Sequence, residues 1–259
     1  MDALAERLRL PAAVRPYFYL FEILEYNFER RLQGNECPHA LYIANYSTAS
    51  SSCLALRRWL FSPQRELRLA RQEPLAAQYF FWQAVEDVNR GVCVAGNRLY
   101  QLKALQDVAR AHEYLALART LPGYGDVVFP AARSDCRDLP LLVVAVGWSG
   151  MKLSAWSAEA GAAAGEPVPV PWRAVREWRA DDAAAAVRLR LAHAALPPRL
   201  TLHSPHVSTH AHDAAAAVRL RLAHAALPPR LTLHSPHYQY LCTCMDRIAE
   251  EAAWLDTGE

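Results

Sequence analysis

Eight of the ten histidines lie between His193 and His237. Four of them, His203, His206, His210 and His212, are close enough in sequence to be weighed as zinc or copper ligands. Six of the eight, however, arise by copying three histidines, and no cysteine or carboxylate cluster accompanies them. Exposed strand and loop histidines are the simpler reading, so no metal site is expected. The six cysteines are scattered, and the closest two, Cys242 and Cys244, lack the two-residue gap of a zinc or redox pair. Nucleophilic chemistry has no support either. The chain lacks Gly-x-Ser-x-Gly and a glycine-rich phosphate loop, since Gly123-Tyr124-Gly125 reads as a helix-ending turn. Asp181-Asp182 and Glu250-Glu251 are adjacent carboxylates whose side chains diverge on a strand or helix. The expectation is a protein that is not an enzyme, with no catalytic residues and no cofactor.

Trp178 suggests binding instead. It closes a strand-like run, is followed by Arg179 and an acidic pair, and precedes a duplicated block. One reading makes it a core tryptophan. The other makes it a wall of a peptide groove between an exposed strand edge and a closing helix, where an extended peptide adds as a strand.

Three kinds of element would have to position such a groove. The opening segment reads as a short helix at Asp2–Leu10, a strand at Tyr17–Leu24 and another at Cys53–Phe61. That is too little to close a sheet, so further strands are expected before Met1. Residues from Pro74 to Leu121 read as a small helical bundle. Leu75, Tyr79, Trp82 and Val85 give the apolar stripe of its first helix, and Asn97 caps a helix carrying Leu99, Leu102, Leu105 and Val108. From Asp126 the period becomes two. Short strands are expected at 127–129, 141–148, 152–156, 168–170, 174–178, 187–191 and 200–202, closed by an amphipathic helix over 238–255. Asp182–His206 recurs unchanged as Asp213–His237, 31 residues later. A barrel has room for one such strand pair, and the second copy is expected to dock because it runs directly into the closing helix.

Bulk properties agree with a binding module. The chain has 259 residues, 53% hydrophobic and 21% charged, an ordinary globular balance. A net charge of +2 argues against a nucleic-acid partner. No apolar run reaches the roughly 20 residues of a membrane span, the charged N-terminus is not a secretory signal, and scattered free thiols fit the cytosol.

The stretch 17–130 resembles the FERM-like region of the PDZ- and PX-containing sorting nexin family. The resemblance rests on Tyr17-Phe18, Leu20-Phe21-Glu22, Arg30-Arg31-Leu32, Pro38-His39, Leu41-Tyr42-Ile43, Asn45-Tyr46 and Arg58-Trp59-Leu60-Phe61. Tyr79-Phe80-Phe81, Gln83-Ala84-Val85, Tyr100-Gln101-Leu102, Gly123-Tyr124 and Phe129-Pro130 continue it. It implies an α+β, three-lobe FERM-like module: a partial ubiquitin-like lobe (1–66), a helical acyl-CoA-binding-protein-like lobe (67–124) and a PH/PTB-like barrel with a C-terminal helix (125–259). It also implies a peptide site at Trp178, Tyr240, Cys244, Met245 and Ile248, and lipid or acidic-motif contacts at Arg137 and Arg230. The neighbouring positives of the family give way here to Asp138 and Leu139.

The function implied is that of an endosomal sorting adaptor, peripheral on early endosome membranes, which binds NPxY-type cytoplasmic tails of transmembrane cargo for recycling to the plasma membrane. Implied partners also include other sorting nexins, Ras-type GTPases and phosphoinositide membranes. The alternatives are an inactive structural fragment whose groove the duplicated segment blocks, and a His-rich metal-binding protein.

Overall fold

The computed structural model of the chain describes residues 2–25, 28–47, 53–192 and 227–256. They divide into two compact units, Met1–Asp126 with Ile248–Glu259, and Val127–Arg247.

In the first unit, helix α1 (Asp2–Arg7) precedes strands β1 (Phe18–Glu25) and β2 (Phe28–Arg31), helix α2 (Pro38–Ser47) and strand β3 (Cys53–Arg58). The three strands pair antiparallel in the order β2-β1-β3. The aromatic runs around Phe18 and Phe61 announce β1 and β3. The polar run Phe28-Glu29-Arg30-Arg31 hides β2, because only Phe28 of the four is buried. The helices that follow are α3 (Pro63–Gln72), α4 (Pro74–Asn89), α5 (Leu99–Ala104) and α6 (Ala111–Ala118).

The start of α3 is set by Ser62, whose hydroxyl accepts the Arg65 N–H at 3.4 Å, with Pro63 in the first turn. Asn97 is not a cap: it sits inside a 3-10 turn (Gly96–Arg98), and no side chain caps α5. The helix expected to run on through Val108 instead ends at Ala104, and Asp107, whose side chain accepts the Ala109 N–H, starts a separate turn. Gly123 must be glycine. It holds φ +85°, and a Cβ there would come within 2.5 Å of the Val92 carbonyl oxygen.

Sheet and helices share one core. Phe18 stacks on Phe80 (centroids 5.5 Å apart, 12° between planes), and Phe81 meets Tyr114 edge-on. Buried ion pairs ring this core: Arg57 bridges Glu29 and Glu86, while Arg58 meets Glu66 and Tyr124. Glu66 also takes the Arg119 guanidinium, at 2.8 Å.

The second unit contains β4 (Val127–Val128), β5 (Ala132–Ser134), β6 (Leu141–Gly147), β7 (Gly150–Ser157), β8 (Ala162–Pro171), β9 (Val175–Asp181), β10 (Ala186–Leu191) and β11 (Arg230–His234). They form one antiparallel sheet, β8-β7-β6-β5-β11-β10-β9, with β4 also on β6. Leu142, Val144, Met151, Leu153, Val187, Leu189, Leu231 and Leu233 line its inner face. Helix α7 (Tyr238–Asp256) closes the chain, and its residues to Arg247 belong to this unit.

The repeat docks differently from the expectation. The first copy supplies β10 and the second supplies β11. Each slot goes to the copy covalently next to it: β10 follows β9 after the short turn Asp182–Ala185, and β11 leads at once into Ser235-Pro236 and α7. Short connections cost less closure entropy than long ones. The expected strand at 200–202, the second copies of the β10 residues and the histidines from His193 to His224 all lie outside the described residues.

Candidate functional site

A sheet that does not close leaves two edge strands, β8 and β9. They are not equivalent. β8 carries Pro167, Pro169 and Pro171 at alternate positions, and proline offers no N–H to an added strand. β9, Val-Arg-Glu-Trp-Arg-Ala-Asp, contains no proline and pairs only with β10. Of the two ends of this sheet, it is the one whose outer edge is chemically able to accept an extended peptide.

Trp178 stands at the middle of that edge strand. Its register partner on β10 is Leu189, which is buried, so Trp178 projects on the core side of the sheet, toward α7. Its indole N–H donates to Asp246 Oδ1 of α7 at 2.8 Å, and its ring lies 6.4 Å from that of Trp172, tilted by 55°. Trp172 is fixed in turn, its N–H lying 3.1 and 3.0 Å from the Gly147 and Trp148 carbonyl oxygens. Trp178 is half-buried. At the start of α7 the Tyr238 hydroxyl donates to Asp182 Oδ1 at 2.8 Å, a bond that raises the Tyr238 pKa. Burial, with Asp246 and Asp182 nearby, pushes the Cys242 thiol up to about 11 and keeps it protonated.

The part of α7 that meets Trp178 is not the stripe the resemblance implied. Tyr240, Cys244 and Met245 are buried in the core, and Tyr240 packs on Phe129 with ring centroids 5.6 Å apart. Ile248 is buried too, but belongs to the first unit. The residue that meets Trp178 is Asp246, on the polar stripe Gln239, Thr243, Asp246 at spacings of four and three. An apolar periodicity finds the inward face of a helix. The face beside a ligand groove can be polar, and the signal that could have found it was the acid Asp246 among exposed positions.

Arg137 is exposed in the turn between β5 and β6, whereas Arg230 opens β11 and lines a concavity of about 670 Å³ on the other face of the sheet. Arg137 does not line that concavity. Among the described residues no group of three or more histidine, cysteine, aspartate or glutamate side chains is placed to hold a metal ion, and no helix is long and apolar enough to cross a membrane.

The chain is similar to known proteins in sequence and in fold. Residues 1–61 match the Ras association (RalGDS/AF-6) domain. Human sorting nexin-17 is 30% identical over 153 residues, covering 56% of this chain and 32% of that protein. Sorting nexin-17 of Danio rerio is 27% identical over 141 residues, covering 52% and 29%. The chain thus spans about a third of the length of the curated relatives it matches. Among solved structures, the FERM and C-terminal domain complex of Drosophila Merlin gives a TM-score of 0.54 at 11% identity, covering 99% of this chain and 89% of that one. The MyTH4-FERM MF2 domain of Dictyostelium discoideum myosin VII gives 0.50 at 9% identity, covering 74% and 50%. These matches support a sorting nexin relationship without singling out sorting nexin 27, the PDZ- and PX-containing member whose motifs the opening lobes resemble. The fold is a FERM-like three-lobe module, and its sequence is similar to the sorting nexins.

Proposed function

We propose that the chain is the cargo-recognition module of an endosomal sorting adaptor, holding an NPxY-type cytoplasmic tail as an added strand between β9 and α7. The observation that carries this reading is the proline-free free edge of β9, with half-buried Trp178 at its middle joined to α7 through Asp246. Backbone pairing along β9 supplies affinity without regard to sequence, and the indole with the polar stripe of α7 supplies a side-chain filter. The module acts by binding alone, cytoplasmic and peripheral on early endosomes, and directs its cargo to recycling. The similarity to sorting nexin-17 supports the sorting role.

Calorimetric titration with an NPxY-containing tail peptide tests it. The expected result is micromolar affinity, with at least a tenfold loss in Trp178→Ala. A folded chain that binds no such peptide would leave the fold standing and remove the cargo reading.

A second reading concerns the first lobe. The Ras association match over residues 1–61 supports contact with a Ras-type GTPase, and β2 is an edge strand there. Pull-down with GTP-loaded and GDP-loaded GTPase checks this, since an effector contact depends on the nucleotide.

A further inference from the structure

Helices α3 and α6 flank a groove of about 410 Å³ in the first unit. Leu67 and Arg71 line it from α3, and His112, Ala116 and Arg119 line it from α6. These positions are four apart on α3, and four and three apart on α6, so each helix offers one continuous stripe. Leu67 is half-buried and Ala116 exposed, which leaves an apolar strip open to solvent. Every other side chain of the lining is basic.

The charge on this face is one-sided. α3 carries Arg65, Arg68 and Arg71 against a single carboxylate, Glu66, and that carboxylate is buried. Glu66 Oε1 lies 2.9 and 2.8 Å from Nε and Nη2 of Arg119, which fixes the guanidinium while it still lines the groove. The acid of α6, Glu113, is taken up by Arg110 at 2.7 Å. Arg71 and His112 are exposed and have no ion partner among the described residues.

The geometry points to a docking groove for an acidic amphipathic helix of a partner protein, with apolar residues against Leu67 and Ala116 and carboxylates reaching Arg71, His112 and Arg119. Charge complementarity sets the sign of the partner, since no acid lines the groove. The walls set its form. Both are helices, whose backbone groups bond within each helix, so an extended peptide finds no edge to pair with. A helix brings its own backbone bonds already made. His112 and Arg119 stand about 10 Å apart along α6, farther than one small anion reaches, whereas acids repeating at helical spacing match that distance. The groove lies in the first unit and β9 in the second, so this inference does not rest on the cargo reading. It also uses no residue of the Ras association match at 1–61.

The test is fluorescence anisotropy of the whole chain with a labelled model helix, cross-linked to stay helical, with leucines on one stripe and glutamates on both flanks. Micromolar binding that weakens as salt rises is expected. It should fall at least fivefold in Arg71→Glu, which reverses a rim charge, and in Ala116→Trp, which fills the groove. Both change exposed positions and should leave thermal unfolding unchanged. A copy of the helix with lysine in place of glutamate should not bind. Equal affinity for the lysine copy, binding that ignores both variants, or no binding by the folded chain would overturn the proposal. Sedimentation with phosphatidylserine vesicles is the remaining arm: vesicle binding lost in Arg71→Glu, without binding of the helix, would assign the face to a membrane and overturn the helix reading. NPxY-peptide affinity should not change in either variant, which separates failure here from failure of the cargo reading.

Discussion

Asp87 is a carboxyl in the wrong place for a charge. Burial raises its pKa from 3.8 to about 6, although Arg58, Arg57 and Arg90 pull the other way and Glu29 adds to the rise. A carboxyl whose folded-state pKa stands above its unfolded value favours folding while protonated. That contribution is complete below about pH 4 and gone above about pH 6. At neutral pH the ionised Asp87 therefore costs stability, about 2–3 kcal/mol. Asp87→Asn is expected to raise the urea midpoint at pH 7 and to change little at pH 4. A loss of stability at pH 7 would mean that the ionised form is needed by Arg58. Glu66 is the opposite case: buried, it holds Arg58, Arg119 and the Tyr124 hydroxyl together. Glu66→Gln should destabilise by about 3 kcal/mol, since it leaves two buried guanidinium groups without their charge partner. Denaturant titration reads this directly, and an effect under half that size would show that water replaces the carboxylate.

Two connections matter at the level of elements. The last turns of α7 are fixed by Glu251, a fully buried carboxylate that accepts the Phe61 and Ser62 N–H groups at 2.8 and 2.6 Å. Both donors lie at the start of α3, where amide groups otherwise lack partners. Glu251→Ala should cost about 2–3 kcal/mol, seen as a lower thermal midpoint. The second connection is the one from β10 to β11, which the repeat lengthens by 31 residues. Deleting residues 193–223 restores a single copy and leaves both strands as they stand. Shorter closure should stabilise the chain by about 1.5 kcal/mol. Unchanged peptide affinity in that variant would show that the repeat leaves the groove open, whereas a marked gain in affinity would support the blocked-groove alternative.

For the molecule as a whole, the balance of charge and the scattered thiols set the class of partner more than its identity. The histidine run invites metal, yet most of it is duplicated sequence rather than a designed ligand set. Adding equimolar zinc to the whole chain is expected to leave its thermal midpoint unchanged. A rise of several degrees with proton release would revive the metal-binding reading.

The three-lobe order was legible because each lobe writes its own period: aromatic and β-branched runs at Tyr17–Leu24, a wide apolar helix from Pro74, and alternation such as Val187-Arg188-Leu189-Arg190-Leu191. β2 and α3 were not legible, because their burial comes from neighbours rather than from their own apolar content; α3 buries only Glu66, Leu69 and Ala70. Trp178 was read as closing a strand; it stands inside β9 and bonds Asp246 of α7, whereas periodicity pointed to the core stripe Tyr240, Cys244, Met245 and Ile248. Hydrophobic spacing reports which face of an element is dry. What it leaves open is which edge stays unpaired, which polar group bonds a strand to a helix, and which copy of a repeat fills a strand slot. Tertiary structure decided those, because each depends on register and on chain connection between segments far apart in sequence: β9 against α7, Arg190 against Arg230, and β10 from one copy beside β11 from the other.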